Sequence, residues 1–123
     1  IIQDGKLLVV RDDRAIDFGV PGGGLKPGES HEQALARELK EELQLELLSH
    51  SYVHTYDCQN IVLNVPQRTY AYIVEVAGDI VPDSEIEEWF WMDQSHIDAG
   101  EILFYSDELE HLYPILFKQI ANL

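Results

Sequence analysis

Hydrophobic and polar positions alternate at two periods along this chain, and the switches between them mark its elements. Ile1-Ile2 and the run from Lys6 to Val10 flank Asp4-Gly5, a two-residue hairpin signal. Ile1 starts in mid-strand, so a few residues are expected before it in the natural protein. Phe18-Gly19-Val20 reads as a short extended entry to a glycine-rich loop. Ser30 followed by Gln33 is a capping-box pair, which predicts a helix from just after Ser30. Leu35, Leu39 and Leu43 then recur every fourth residue and give that helix an apolar stripe.

Beyond the helix the period shortens. Leu45 to Cys58 and Arg68 to Val76 read as strands, joined by a connector over Gln59 to Gln67 that contains Pro66. Glu87 to Met92 is a further strand, with Ile86, Phe90 and Met92 on one face and Trp89 and Trp91 on the other. A helical turn follows near Ser95 to Ala99. A closing helix spans Asp107 to Ala121, capped by Ser106, with Leu109, Leu112, Leu116 and Ile120 on its apolar face. Pro114 in its interior should kink or split it. The pattern is α+β, a mixed sheet with one helix packed on each side.

Composition narrows the class. At 123 residues and 46% hydrophobic content the chain is expected to be a single domain. It contains neither an apolar run long enough to span a membrane nor a signal-peptide pattern. Cys58 stands alone, so no intrachain disulfide forms, and a small residue on a strand is a better reading of it than a nucleophile. A cytoplasmic location is expected. The net charge of −15, with eight Lys and Arg against 23 acids, argues against a nucleic-acid polymer as partner, since phosphate backbones need a basic patch.

The chemistry is concentrated in residues 21–45. Gly22, Gly23, Gly24 and Gly28 let backbone approach a ligand closely, ahead of a helix N-terminus that suits anionic oxygens. On the helix, Glu38, Glu41 and Glu42 are i, i+3 and i+4 neighbours, so their carboxylates cluster and repel. A hard divalent cation, Mg²⁺ or Mn²⁺, relieves that repulsion. Arg37 is suited to hold Glu29 as a bidentate pair. A lone acidic run would read as a solvated face and a lone glycine triplet as a turn. Their joint occurrence at fixed gaps favours a site.

That spacing (Gly23, five residues, Glu29, seven residues, then Arg37-Glu38-Leu39-Lys40-Glu41-Glu42) resembles the signature of the Nudix (MutT-like) hydrolases, with Gln44 in place of the last glycine. Phe18 to Gly23 and Glu88 to Asp93 are similar to two flanking segments of the family. The resemblance implies an α/β/α sandwich and hydrolysis of a phosphoanhydride bond. It implies Glu38, Glu41, Glu42 and the Gly22 carbonyl as metal ligands, with Glu29 and Arg37 orienting the carboxylates. Glu38 or Glu88 would take the proton of the attacking water, with Glu85 and Glu87 as fallbacks for Glu88. Gly23, Gly24, Lys26 and Phe18 would face the substrate, Lys26 standing where many relatives carry an acid. Tyr52, Tyr56, Tyr70 and Tyr72 are further candidates for stacking a base, or are core and cross-strand residues.

The expected partner is a small nucleotide, first a nucleoside or deoxynucleoside triphosphate, then ADP-ribose or a nucleotide sugar. A homodimer is left open. Rivals from other classes are a catalytically silent nucleotide-binding regulator, against which the intact glutamate set argues, and an acidic metal-binding protein, against which the glycine loop argues. Gln44 at a helix end that favours a left-handed residue would cost on the order of 1 kcal/mol or alter the turn.

Overall fold

Asp4 and Gly5 both sit at positive φ (53° and 76°), closing the hairpin that the sequence pattern predicts. The structure is a computed structural model and describes residues 1–60 and 63–122. The hairpin joins β1 (Ile2–Gln3) to β2 (Lys6–Asp12), and β5 (Ile86–Met92) pairs antiparallel along the other edge of β2. The ladder runs from Leu7 opposite Met92 to Arg11 opposite Glu88, then breaks in an irregularity between Arg11 and Asp12.

A second sheet is built from two long strands, β3 (Glu46–Asn60) and β4 (Val65–Ala77). They extend past the ends that the sequence suggests and absorb most of the expected connector: Gln59 pairs with Pro66 and Cys58 with Gln67. Positions 61 and 62 of that connector lie outside the described residues. Pro66 lacks an N–H donor, but in a two-stranded ribbon each strand has a free edge, so it is accommodated. All three ladders are antiparallel. Among the described residues the parallel component is the single bridge between Phe18 and Phe104.

Helix α1 (His31–Leu43) begins at the predicted capping box, in which Ser30 Oγ accepts the Gln33 N–H and Gln33 Oε1 accepts the Ser30 N–H. It ends at Gln44, held in the left-handed conformation (φ 55°, ψ 35°), whose N–H reaches the Lys40 carbonyl. The turn that glycine would ease is therefore kept, at the conformational cost of a non-glycine residue. Helix α2 (Gln94–Ala99) is capped by Asp93. The closing helix is split into α3 (Ser106–His111) and α4 (Tyr113–Ala121), because Pro114 fits only the first turn of a helix. Ser106 is the first residue of α3 and not its cap, and no side chain caps that end.

Strand alternation sorts the core into two layers. Leu7, Val9 and Met92 pack with Leu112, Tyr113 and Leu116 of the C-terminal helices. Leu8 points the other way and packs with Leu39 and Leu43 of α1, beside Leu45 and Val74. Helix α1 thus covers one side of the β layer and the C-terminal pair α3–α4 the other, giving the α+β architecture. Leu8, Val9, Leu43 and Met92 are 0% exposed, each worth roughly 1.5–3 kcal/mol of burial. Among the described residues no helix is long and apolar enough to cross a membrane.

Candidate active site

The extended segment before the loop is gripped from both sides. Gly19 exchanges backbone hydrogen bonds with Val10 of β2 (2.9 and 2.8 Å). On the opposite side the Phe18 N–H donates to the Leu103 carbonyl (2.8 Å), and the Tyr105 N–H donates to the Phe18 carbonyl (3.2 Å). Pro21 then opens the loop, which folds back on α1. A Cβ added at Gly23 would overlap the Glu38 carboxylate, whereas one at Gly22 or Gly24 would meet nothing. A side chain at position 23 would displace the Glu38 carboxylate, because acid and backbone share that space.

Arg37 ties the loop to the helix. Its Nε lies 2.7 Å from Glu29 Oε2 and its Nη2 2.9 Å from Glu29 Oε1, the bidentate pair that the sequence suggests. Nη2 also donates to the Gly24 carbonyl (2.9 Å), while Nη1 reaches Glu38 Oε1 (2.6 Å) and Glu41 Oε2 (3.3 Å). Five hydrogens in a rigid fork make this possible, and an ammonium could not reproduce it. The Arg37 guanidinium and the Lys26 N–H hold the Glu29 carboxyl down at about 2.

Glu42 is the opposite case. Partial burial and the nearby Glu38 carboxylate push its carboxyl up to about 8, with Glu41 adding to the rise and the Gly22 N–H opposing it. Loop residues pack against this end of the helix, where the Asp83 N–H donates to the Glu42 carbonyl (2.8 Å). Glu38, Glu41 and Glu42 are therefore brought together with surplus negative charge, an all-oxygen donor set that fits a hard divalent cation. As they stand, Glu38 and Glu41 turn toward Arg37, and among the described residues no three His, Cys, Asp or Glu side chains enclose an ion. Glu41, 55% exposed, is free to turn.

Other candidates are placed differently. Phe18 is 8% exposed and packs edge-on against Phe90, 5.0 Å between centroids, so its ring belongs to the core and not to the substrate. Glu88 alternates with Phe90 and Met92 on the face that carries the C-terminal helices, and Arg11 Nη2 holds it at 2.8 Å. The apolar stripe of α1 packs on the other face, and the contact that Glu88 makes is the one with Arg11. Glu85 and Glu87 flank Ile86 at the irregular end of the β2–β5 ladder, and the Glu85 carbonyl accepts the Asp13 N–H (2.8 Å). Lys26 is exposed, and its backbone N–H lies 3.0 Å from Glu29 Oε1.

A cleft of about 740 Å³ opens beside the loop, lined in part by Gly22, Gly23, Gly24 and Glu38. Of the tyrosines, Tyr56 is 8% exposed, stacks on His111 and forms part of the cleft wall, and Tyr52 is 58% exposed. Tyr70 and Tyr72 line the cleft with His31, whose Nδ1 is 2.6 Å from the Tyr72 hydroxyl. Sequence reasoning missed His31, which reads as an ordinary first-turn helix residue, and Glu108, an acid lying on the apolar stripe of the closing helix.

Comparisons with known proteins match most of the chain. The family model described as NUDIX domain matches residues 1–112. An 8-oxo-dGTP diphosphatase of Haemophilus influenzae is 28% identical over 92 residues, covering 72% of this chain and 64% of that protein. The nucleoside triphosphatase NudI of Escherichia coli is 43% identical over 53 residues, 39% of this chain and 38% of the relative. The chain thus spans less than two thirds of the length of either. The solved structure of the E. coli ORF135 protein superposes with a TM-score of 0.71 at 26% identity, covering 97% of this chain and 82% of that one.

Proposed function

We propose that this chain, which belongs to the Nudix family, is a metal-dependent hydrolase that cleaves a phosphoanhydride bond in a small nucleotide. The observation that carries this is the single guanidinium of Arg37 tying Glu29, Glu38, Glu41 and the Gly24 carbonyl into one unit. Such a unit places a backbone loop able to follow a polyphosphate directly over a carboxylate cluster. A solvated helix face needs neither.

Glu38, Glu41 and Glu42 would hold Mg²⁺ or Mn²⁺, with the Gly22 carbonyl as a further donor. When bound, the metal supplies charge neutralisation for the diphosphate and lowers the pKa of water. Glu38, which lies beside both Arg37 and Glu42, would accept the water proton. The water oxygen joins phosphorus, the bridging oxygen leaves with its electron pair, and the proton passes to the carboxylate. Gly23 and Gly24 line the substrate's path, and the Lys26 ammonium is exposed at the loop's edge for a phosphate.

A nucleoside or deoxynucleoside triphosphate is the first substrate class, giving a monophosphate and pyrophosphate. The names of the two curated relatives support that order. ADP-ribose and nucleotide sugars come next. The net charge of −15 supports a small-molecule substrate over a nucleic-acid polymer, and a cytoplasmic location is part of the same reading. The test is turnover of nucleoside triphosphates, ADP-ribose, nucleotide sugars and dinucleoside polyphosphates with Mg²⁺ or Mn²⁺, with Glu41→Gln alongside. Metal-dependent turnover that the variant loses supports the reading. Nucleotide binding without turnover across the panel replaces it with a regulatory module.

A further inference from the structure

Val20 presents the last backbone N–H before the loop, because Pro21 has none. In an extended segment alternate N–H groups point the same way. Those of Phe18 and Val20 both face residues 103–108, while Gly19 faces β2. Phe18 finds a backbone carbonyl there, that of Leu103. At Val20 the facing chain has already turned into α3, and its carbonyls point along the helix axis. The Glu108 side chain replaces the missing carbonyl: Oε1 lies 2.9 Å from the Val20 nitrogen.

The same oxygen accepts the hydroxyl of Tyr113 (2.7 Å), a residue 1% exposed in the first turn of α4. Oε2 lies over Gly19, where an added Cβ would come within 2.8 Å of it. Glu108 therefore joins the C-terminal helices to the root of the loop, and it shares the space over Gly19 with the Tyr105 ring, which the same Cβ would meet at 2.6 Å. The groups that face it are Asp107, Tyr105, Tyr56 and Tyr113. Burial pushes its carboxyl up to about 7, Asp107 adds to the rise, and the Tyr113 and Val20 hydrogen bonds oppose it.

We propose that Glu108 is a positioning residue of the active site: by accepting the Val20 N–H it fixes where the glycine loop leaves the ladder, and hence where Gly23 meets Glu38. The inference rests on the reading of loop and helix as the site. It predicts that an acceptor oxygen at this reach matters, and that the charge does not.

Three variants test it, each read by amide hydrogen exchange and by kcat and KM with Mg²⁺ on a nucleoside triphosphate. Glu108→Leu removes the acceptor. Exchange of the Val20 amide should rise at least about tenfold, and kcat should fall about tenfold with KM changed by less than about threefold. Glu108→Gln keeps an acceptor oxygen and should stay within about threefold of the parent in both readouts. Glu108→Asp keeps the charge but is one methylene short, and should behave like Glu108→Leu, which covers failure of the leucine variant to fold. Unchanged Val20 protection in Glu108→Asp overturns the proposal, as does a lowered Tm with kcat intact. Glu108→Gln failing as badly as Glu108→Asp also overturns it. If the parent turns over nothing, the exchange readout still decides the role of Glu108, and the loss belongs to the proposed function instead.

Discussion

Arg37 and Glu29 form a two-pronged ion pair, Nε to Oε2 at 2.7 Å and Nη2 to Oε1 at 2.9 Å, with side chains only 17% and 12% exposed. The pair fixes the loop's end to the middle of α1, and the remaining guanidinium hydrogens reach the cluster. Lysine offers a point charge with no fork. Arg37→Lys should therefore lower kcat by at least about tenfold while the protein still melts cooperatively. Steady-state kinetics together with a thermal melt checks this, and a kcat within about twofold of the parent removes Arg37 from the positioning role.

Gly23 and Gly24 separate steric demand from flexibility. A methyl group at Gly23 collides with the Glu38 carboxylate, and one at Gly24 enters open space. Gly23→Ala should abolish metal-dependent turnover and weaken Mg²⁺ binding measured by calorimetry. Gly24→Ala should leave both within about threefold. Equal loss in the two variants would mean that the loop needs glycine for its freedom and not for the approach of Glu38.

Glu88 provides a sharper contrast. It is held by Arg11 on the far face from α1, with a side chain 61% exposed. Removing an exposed ion pair of this kind costs at most about 1 kcal/mol. Glu88→Ala should keep kcat within about threefold and stability within that amount. A loss of turnover on the scale of Glu41→Gln would restore Glu88 as the base and require the β5 end to move.

Gln44 tests the cost of the substituted signature position. It sits at φ 55°, where glycine avoids a Cβ clash. Gln44→Gly should raise stability by roughly 0.5–1 kcal/mol, partly offset by the greater freedom of glycine in the unfolded chain. Turnover should be unchanged, because no ligand side chain is involved. A lowered denaturation midpoint would show that the Gln44 side chain contributes more than its backbone costs.

The raised carboxyls give a pH dependence of definite sign. Glu42 and Glu108, at about 8 and about 7 against an ordinary 4.5, bind protons in the folded chain that the unfolded chain has released. Their contribution to stability is full below 4.5 and is lost as pH rises toward 7 and 8, by at most about 1.4 kcal/mol per pH unit for each. Glu29 runs the other way, its contribution full above 4.5 and lost as pH falls toward about 2. In EDTA the Tm should therefore decline across that upper window. Mg²⁺ should raise Tm most at its alkaline end, where Glu42 is ionised and available to the metal. A Tm in EDTA that is flat from about pH 5 to about pH 8 would refute the raised values.

Much of this was legible along the chain because it depends on near neighbours. The capping box at Ser30 and Gln33, the Asp4-Gly5 hairpin and the split at Pro114 are local backbone chemistry, and each takes the predicted form. The pairing of Arg37 with Glu29 was legible because eight residues of loop and first turn leave little choice of partner. Strand ends were not: Gln59 and Pro66 pair because a long ribbon already in register extends past a polar stretch, and composition does not record register.

What the sequence alone determined is therefore the α+β class and the loop-and-helix unit, since both follow from periodicity and fixed spacing. What only the tertiary structure decided is which distant groups meet that unit. Phe18 and Glu88 looked like site residues, yet strand alternation sends one into the core and the other to the opposite face. Glu108 looked like a misplaced acid on an apolar stripe, yet folding delivers it to Val20, 88 positions away in the chain. Alternation tells which residues share a face. Only packing tells which face receives α1 and which the C-terminal helices, because that is settled by contacts between segments far apart in sequence.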